Sequence, residues 1–403
     1  MTTQETSGAR RLSPVMREGE RVKPLELFFD LVFVLAITQC TALMVDHPTW
    51  DGLGEGMLVL ALLWWAWTGY AWLTSVIDPE EGAVRIAFFA AMAALLIAAL
   101  TVPEAFRDRA LEFALAYGAV RAGHIALFML ASRDEPDLRH SVSGLAAGTA
   151  IGVGLLIGGS FLDGAGQASL WGLALLLDMG EPYVFGAEGW KLVPGHFAER
   201  HGLIIIVALG ESVVALGVGA DVGLTVGVAA AAVLGIVLVC ELWWIYFDIV
   251  SIANVRRLVR APEGRERNEL ARDVYSYLHY PLVAGIVLSA VGLHEALEHA
   301  DDPLHDVPAF ALLGGVAVYL LGHVAVRLRG AHTLSRRRLL MALVMFALIP
   351  AALELPALAM LGMASALLCG LIVYETRSYG EGRTQVRREF GLQAAGAGVP
   401  DRD

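Results

Sequence analysis

Glu26 and Asp30 are two carboxylates four residues apart at the start of an apolar stretch that runs from Lys23 to Met44. This spacing places both side chains on one face of a helix. At about 1.5 Å per residue, the stretch is long enough to cross a hydrocarbon core of about 30 Å. Because an ionised carboxylate in contact with lipid is costly, we expect Asp30 to face protein, a cation or water.

Further ionisable side chains lie inside other apolar runs: Arg121, His124, Glu211, Glu241 and Asp248. Such residues are rare in membranes, and they usually line a path or pair with one another. His124 can also titrate near neutral pH. Together with Glu26 and Asp30, the set indicates a proton or cation pathway. The alternative interpretation is a buried polar network that only fixes the packing of the helices.

Expected depths in the membrane predict which of these groups meet. Arg121 and Glu211 should both lie near the midplane, so we expect them to form an ion pair. Asp30 and Glu241 should both lie toward the cytoplasmic side, where they could share a proton or a cation.

A second candidate site, at the cytoplasmic surface, consists of His196, Glu199 and His201. Without a further ligand nearby, these residues do not predict a metal site, and Glu199 could simply favour the positive N-terminal end of a helix. They could instead serve a membrane-embedded enzyme that acts on a lipid or an isoprenoid. The sequence contains no phosphate-binding loop, dinucleotide fingerprint or nucleophile elbow in a suitable context, so it favours transport over catalysis and predicts no cofactor.

The composition is that of a membrane protein, with 57% hydrophobic and only 17% charged residues among 403 and a mean hydropathy of +0.61. Its three cysteines each fall inside an apolar run, so no disulfide framework is indicated. Twelve runs have helix-spanning length: 25–45, 54–77, 84–103, 110–131, 141–161, 168–186, 201–220, 226–250, 274–294, 309–328, 336–354 and 356–375. The glycine-rich fifth run and the sixth run, with Asp178, could instead be broken or re-entrant.

The distribution of basic residues predicts the orientation, because cytoplasmic loops collect arginine and lysine. With both termini in the cytoplasm, every one of the 29 basic residues lies on the cytoplasmic side except Arg107, Arg109 and Arg121. We therefore expect a multi-pass protein of the bacterial inner membrane with twelve transmembrane helices.

Short segments recur in the same order along the chain: 63–70 with 242–248, 103–106 with 294–297, and 123–124 with 322–323. This recurrence suggests two parallel six-helix repeats related by an axis along the membrane normal. The predicted organisation is a disordered cytoplasmic tail, two six-helix halves and a second disordered cytoplasmic tail, over residues 1–22, 23–190, 191–376 and 377–403.

Three segments together resemble the bacterial low temperature requirement A family: Pro24–Val34, the aromatic-rich second helix that ends near Asp78, and His196–Leu203 followed by Ala208–Ser212. The resemblance spans roughly residues 21–376. It implies a polytopic inner-membrane protein, in a family named for growth in the cold, and it implies no settled molecular activity.

The leading hypothesis is thus an all-α membrane protein that moves an ion or a small solute along a path lined by intramembrane carboxylates. The alternatives are the lipid enzyme described above and a sensor or partner protein without catalytic activity. We expect membrane lipid, the transported ion or solute, and another copy of the chain as partners. Nucleic acid is not expected, because positive-inside topology accounts for the basic loops.

Overall fold

The computed structural model describes residues 21–80, 82–184, 189–220 and 225–378. These residues form a bundle of α-helices and no β-strand. The helices are α1 (Pro24–Asp46), α2 (Trp50–Thr74), α3 (Gly82–Thr101), α4 (Ala110–Ala131), α5 (Pro136–Gly159), α6 (Gly164–Val184), α7 (Pro194–Gly219), α8 (Val226–Phe247), α9 (Val250–Arg260), α10 (Arg265–Ala271), α11 (Tyr280–Glu298), α12 (Asp306–Ala309), α13 (Gly315–Ala331), α14 (Arg336–Ala352) and α15 (Ala357–Ser378).

Local signals in the sequence account for many helix starts. Proline occupies the first turn of α1, α5, α7 and α11, where its missing N–H would have no helical partner. Thr49 and Thr225 precede α2 and α8, and each side-chain oxygen accepts a hydrogen bond from the backbone N–H three residues later. These caps satisfy N–H groups that the first helical turn leaves without a partner.

Within the described residues, the twelve predicted apolar runs lie mainly on helices, and the all-α polytopic membrane fold is confirmed. Among the described residues, ten helical segments are long and apolar enough to cross a membrane. The two predicted spans outside this set are α6, which carries Asp178 and Glu181, and α14, which has 17 residues and begins with three arginines. Both α5 and α6 are continuous helices, so neither is broken. Residues 1–20 and 379–403 of the two predicted tails lie outside the described residues.

The twelve predicted spans pack in the same order in both parts of the chain. In the first part, α1 contacts α2 and α3, α3 contacts α4, α4 contacts α5, α5 contacts α6, and α6 returns to α2. In the second part, α7 contacts α8 and α11, α11 contacts α13, α13 contacts α14, α14 contacts α15, and α15 returns to α8. The two sets meet mainly where α1 and α2 pack against α7 and α11.

Helix α11 forms the centre of the second set and is buried on almost every face. A side chain at Gly285 would come within 2.6 Å of the backbone of α13, at Gly315 and Tyr319. Only glycine permits this close approach of the two helices, as in many membrane helix pairs. Just before α11, a π-helical turn over Arg272–Tyr277 leaves two carbonyls free for side chains, and these bond His279 and Trp64.

Candidate functional site

The interface cluster lies where α1, α2 and α7 meet, and it comprises Glu26, Asp30, Thr74, His196 and Arg200. All five residues are at most 2% exposed. Arg200 donates to Glu26 over 3.3 Å, to Asp30 over 2.6 Å and to Thr74 over 3.0 Å. Nε2 of His196 lies 2.7 Å from the same oxygen of Glu26. Glu26 and Asp30 lie four residues apart on α1, and His196 and Arg200 lie four residues apart on α7. The two pairs therefore face each other across the boundary between the two helix sets.

The interface cluster contains two carboxylates and one guanidinium, so one additional proton makes it neutral. Glu26 also accepts a hydrogen bond from the Lys23 backbone over 2.7 Å, as part of the cap of α1. One oxygen of Asp30 accepts hydrogen bonds from Arg200 and the Trp67 indole, over 2.6 and 2.8 Å. Its other oxygen is buried and has no hydrogen-bond partner within the described ranges. Asp30 thus faces protein, as the sequence predicted, and its charge is balanced mainly by Arg200.

The three residues of the predicted cytoplasmic surface site do not come together. His196 and His201 are fully buried in the bundle, and only Glu199 is exposed. His201 lies against the rings of Trp64 and Trp67, and its Nδ1 is 2.8 Å from the Phe197 carbonyl. Glu199 instead accepts a hydrogen bond from the backbone N–H of residue 22.

A second buried ion pair joins α4 to α6. Arg121 donates to Asp178 over 2.6 Å and to Thr149 of α5 over 2.7 Å, and Thr149 donates to the same Asp178 oxygen over 3.0 Å. Arg121 is 1% exposed and Asp178 4%. The predicted pairing of Arg121 with Glu211 is therefore wrong. Helix α6 supplies the closer carboxylate, and α4 packs within the first helix set rather than against α7.

A cavity of about 60 Å³ opens beside this ion pair, between α2, α4, α5, α6 and the segment before α11. Its wall includes Arg121 and His124, two residues of the predicted pathway, together with Thr68. The hydroxyl of Thr68 and Nε of Arg121 are buried and have no hydrogen-bond partner among the residues that the structure describes. Gly69 makes room for His124, because a side chain there would come within 2.8 Å of the imidazole. Buried polar groups usually have partners, so the groups of Thr68 and Arg121 are exceptions, and the rest of the cavity wall is largely apolar.

The remaining predicted pathway residues lie apart from the cavity. Glu211 accepts a hydrogen bond from Thr38 and so joins α7 to α1. Glu241 is buried on α8, with one oxygen without a partner, and it forms no hydrogen bond or ion pair with Asp30 within the described part of the chain. Asp30 is instead bonded to Arg200, so the predicted sharing of a proton between Asp30 and Glu241 is wrong. Asp248 lies buried at the end of α8.

Residues that could hold a metal ion lie at the opposite end of the bundle from the start of α1. His294, Glu295 and Glu298 place their ligand atoms within 4.8 Å of one another at the end of α11. The group is partly exposed, and acidic surface groups of this kind are common without a bound ion. It does not contact the cavity.

Sequence reasoning did not predict the roles of Asp178 and Arg200. Asp178 suggested only a weak sixth span, although a carboxylate in an apolar run is itself a signal that a buried cation lies nearby. The signal for Arg200 was its position four residues after His196, which matches the spacing of Glu26 and Asp30.

The comparisons with known proteins identify the family of this chain. Residues 21–373 match the family of bacterial low temperature requirement A proteins. An uncharacterized protein of Rhizobium meliloti (strain 1021) is 30% identical over 309 residues, which cover 74% of this chain and 75% of the relative. No solved structure matches the chain. The family match covers the interface cluster and the cavity, and the chain therefore belongs to the bacterial low temperature requirement A protein family.

Proposed function

We propose that this membrane protein carries a small solute across the bilayer and that the cavity beside Arg121 is its solute site. The observation that carries the proposal is a cavity between the helices whose wall includes Thr68 and Arg121, two residues with buried polar atoms that have no hydrogen-bond partner among the described residues. Leaving such groups without partners costs free energy, so they are typically kept where a ligand or water completes their hydrogen bonds. Thr68 and Arg121 belong to α2 and α4, two helices that are long and apolar enough to cross a membrane.

In this proposal the solute binds in the cavity beside Arg121 and does not pass along a continuous line of carboxylates. The interface cluster is a separate contact between the two helix sets. The carboxylates of Glu26, Asp30 and Asp178 are engaged by Arg200 and Arg121, so they are unlike the open, hydrated groups of an ion channel. Glu211 and Glu241 remain candidates for a coupling ion or proton, because each has few polar neighbours. Intramembrane acids of this kind frequently serve proton relays in transporters.

We infer that the chain consists of two duplicated halves, residues 23–190 and 191–376, which move relative to each other. The same six helix contacts occur in each half, which supports the duplication suggested by the recurring segments. The interface cluster spans the boundary between the halves, so it can hold them together at one end of the bundle. In transporters built from parallel repeats, rocking of the halves exposes the solute site to each side in turn.

We also propose the inner membrane as the location, with the starts of α1 and α7 on the cytoplasmic side. The arginine-rich segments after α8 and after α13 lie at this same end of the bundle, whereas Arg107 and Arg109 lie at the other. Positive charge marks the cytoplasmic end of membrane proteins, and it attracts anionic lipid there.

Flux measurements on reconstituted protein test the proposed transport. Purified full-length protein in liposomes should move at least one solute from a panel of small carboxylates, inorganic anions and monovalent cations, faster than liposomes without protein. Arg272→Gln, in the cavity wall, should lower that flux at least about tenfold, as expected for loss of a charged hydrogen-bond donor. Ser365→Ala, which alters a buried hydroxyl on α15 outside the cavity, should leave the flux unchanged. Folded protein that moves no member of the panel would contradict the proposal.

A further inference from the structure

Glu181 is a buried acid that the proposed transport does not use. It lies in the last turn of α6, one turn after Asp178, and is 5% exposed. Among the described residues, it is the acid whose two carboxyl oxygens are both buried and have no hydrogen-bond partner. Glu211, by contrast, accepts a hydrogen bond from Thr38, and Glu241 has one such oxygen. Glu181 is therefore the least satisfied acid in the described part of the chain.

Helix α5 makes room for this acid inside the bundle. The carboxyl group of Glu181 occupies the space beside the α5 backbone that Gly148 leaves free, and a side chain at position 148 would collide with it. Glycine therefore allows an acid to lie between two helices that pack along their length.

The charges near Glu181 leave one carboxylate without a counterion. Arg121 bonds Asp178 at 2.6 Å and lies close enough to attract Glu181 as well. One guanidinium cannot neutralise two carboxylates, so the three side chains carry a net charge of one negative unit when both acids are ionised. An unpaired charge in the interior is costly, and a buried acid of this kind usually takes up a proton instead.

The neighbouring elements do not supply a second counterion from their described residues. Their other titratable or charged side chains near these three groups are Tyr70, Tyr117, His124, Tyr183, Arg272, Asp273 and Tyr277. Arg272 is paired with Asp273 at 2.8 Å, and His124 packs against Gly69 of α2. The titratable residues at the start of α5 are exposed, and they are Asp137, Arg139 and His140. Asp178 and Glu181 thus share Arg121.

Arg121 has a free donor that an ionised Glu181 could use. Its Nη2 bonds Asp178 and Thr149, whereas its Nε is buried and has no hydrogen-bond partner among the described residues. We propose that Glu181 is a proton-binding site, which holds a proton while Arg121 is paired with Asp178 alone. On release the O–H bond breaks, its electron pair stays on the carboxylate, and the proton passes to water. Arg121 then attracts both carboxylates.

A proton suits this position better than a metal cation does. Both oxygens of Glu181 have almost no surface open to solvent, so a cation could not coordinate them without separating the helices. The Arg121 guanidinium would also repel it. A proton can exchange through the neighbouring cavity, whose wall includes Arg121 and Pro182. This site goes beyond the proposed function, and it does not require that a solute is carried.

Infrared spectroscopy of the full-length protein in lipid nanodiscs detects the proton directly. A protonated carboxyl group has a C=O stretching band that a carboxylate lacks, and the band shifts when the exchangeable hydrogen is replaced by deuterium. The difference spectrum between the unaltered protein and Glu181→Gln at neutral pH should contain this band. It should disappear at alkaline pH, where Glu181 is ionised in both the folded and the unfolded chain.

Asp178→Asn is a second variant, which leaves Glu181 in place and serves if the first variant does not fold. Without its partner, Arg121 should pair with Glu181, so the Glu181 carboxyl band should be lost at neutral pH although the acid is still present. Glu104→Gln is the control, because Glu104 lies on the surface and is about half exposed. Its spectrum should keep the full band.

The outcomes separate this inference from the transport proposal, because the spectra need no solute and no flux. Loss of the band in Glu181→Gln and in Asp178→Asn, with the full band in Glu104→Gln, supports the proton site even where liposomes show no transport. A band that persists at full intensity in either cavity-side variant, Glu181→Gln or Asp178→Asn, would overturn the inference and leave the solute cavity untouched.

Discussion

Replacing Arg200 by leucine is expected to lower the free energy of unfolding by about 3–5 kcal/mol, the cost of removing one partner from a buried ion pair. Arg200 is fully buried and bonds both Glu26 and Asp30. Without it, two carboxylates remain in the interior of the bundle with only His196 as a basic neighbour in the interface cluster. Reversible unfolding of the purified protein in detergent or bicelles measures the change.

Lys191→Gln is the matched control for that measurement. Lys191 pairs with Glu135 at 2.6 Å, but both side chains are nearly half exposed. Exposed pairs contribute about 0–1 kcal/mol, so this variant should unfold almost like the unaltered protein. Combining Arg200→Leu with Glu26→Gln and Asp30→Asn should restore part of the lost free energy of unfolding, because these changes remove the uncompensated charges. A single Arg200 variant as stable as the Lys191 control would contradict the ion-pair geometry of the interface cluster.

Arg121→Leu is expected to lower the free energy of unfolding by a similar amount, about 3–5 kcal/mol, because it removes one partner of the buried ion pair with Asp178. The two side chains are almost fully buried and 2.6 Å apart. Among the described residues, removing the guanidinium leaves Asp178 with the Thr149 hydroxyl as its hydrogen-bond donor, and Glu181 is near enough to add a second negative charge when it ionises. The double variant Arg121→Leu/Asp178→Leu should be much closer in stability to the unaltered protein than the single variant.

A double-mutant cycle on Arg121 and Asp178 should therefore give a coupling free energy of at least about 3 kcal/mol, the upper end for residues in contact. The pair Arg109 and Glu104, which lies on the surface with both side chains about half exposed, should give less than about 1 kcal/mol. The same cycle with Glu211 in place of Asp178 should show no comparable coupling. Strong coupling to Glu211 would mean that α4 and α7 pack together, contrary to the structure.

The helices themselves were predictable because their signals are local. Apolar length, first-turn prolines such as Pro24 and Pro194, and the capping threonines Thr49 and Thr225 all act within a few residues. The prediction that Asp30 needs a polar or charged neighbour also follows from local chemistry, since the cost of burying a charge does not depend on the fold.

The partners of the buried charges were not predictable in the same way. Similar depth in the membrane suggested that Arg121 meets Glu211, but depth says nothing about which helices are neighbours. The contact of α4 with α5 and of α5 with α6 brings Asp178 to Arg121, and it depends on packing along entire helices. The partner of Asp30 was missed for the same reason, because Arg200 reaches it only where α7 packs against α1.

The cavity also depends on tertiary structure. Thr68 and Trp72 lie one turn apart on α2, and His124 lies on α4, so periodicity alone shows only that each helix has a polar position. Trp190 and Arg272 reach the cavity from segments more than eighty residues apart. Among the polar residues that line the cavity, the sequence analysis identified Arg121 and His124. Ionisable residues stand out within an apolar run, whereas other polar residues do not.

Chemical labelling of a cysteine at position 68 tests most directly whether the cavity lies on a path across the membrane. Thr68→Cys is introduced after Cys40, Cys240 and Cys369 have been replaced, and a membrane-impermeant thiol reagent is applied separately to each face of sealed vesicles. Transport through the cavity predicts reaction from both faces, while Ser365→Cys, buried on α15, stays unreacted until the protein is denatured. Reaction from one face alone, or from neither, would contradict the account.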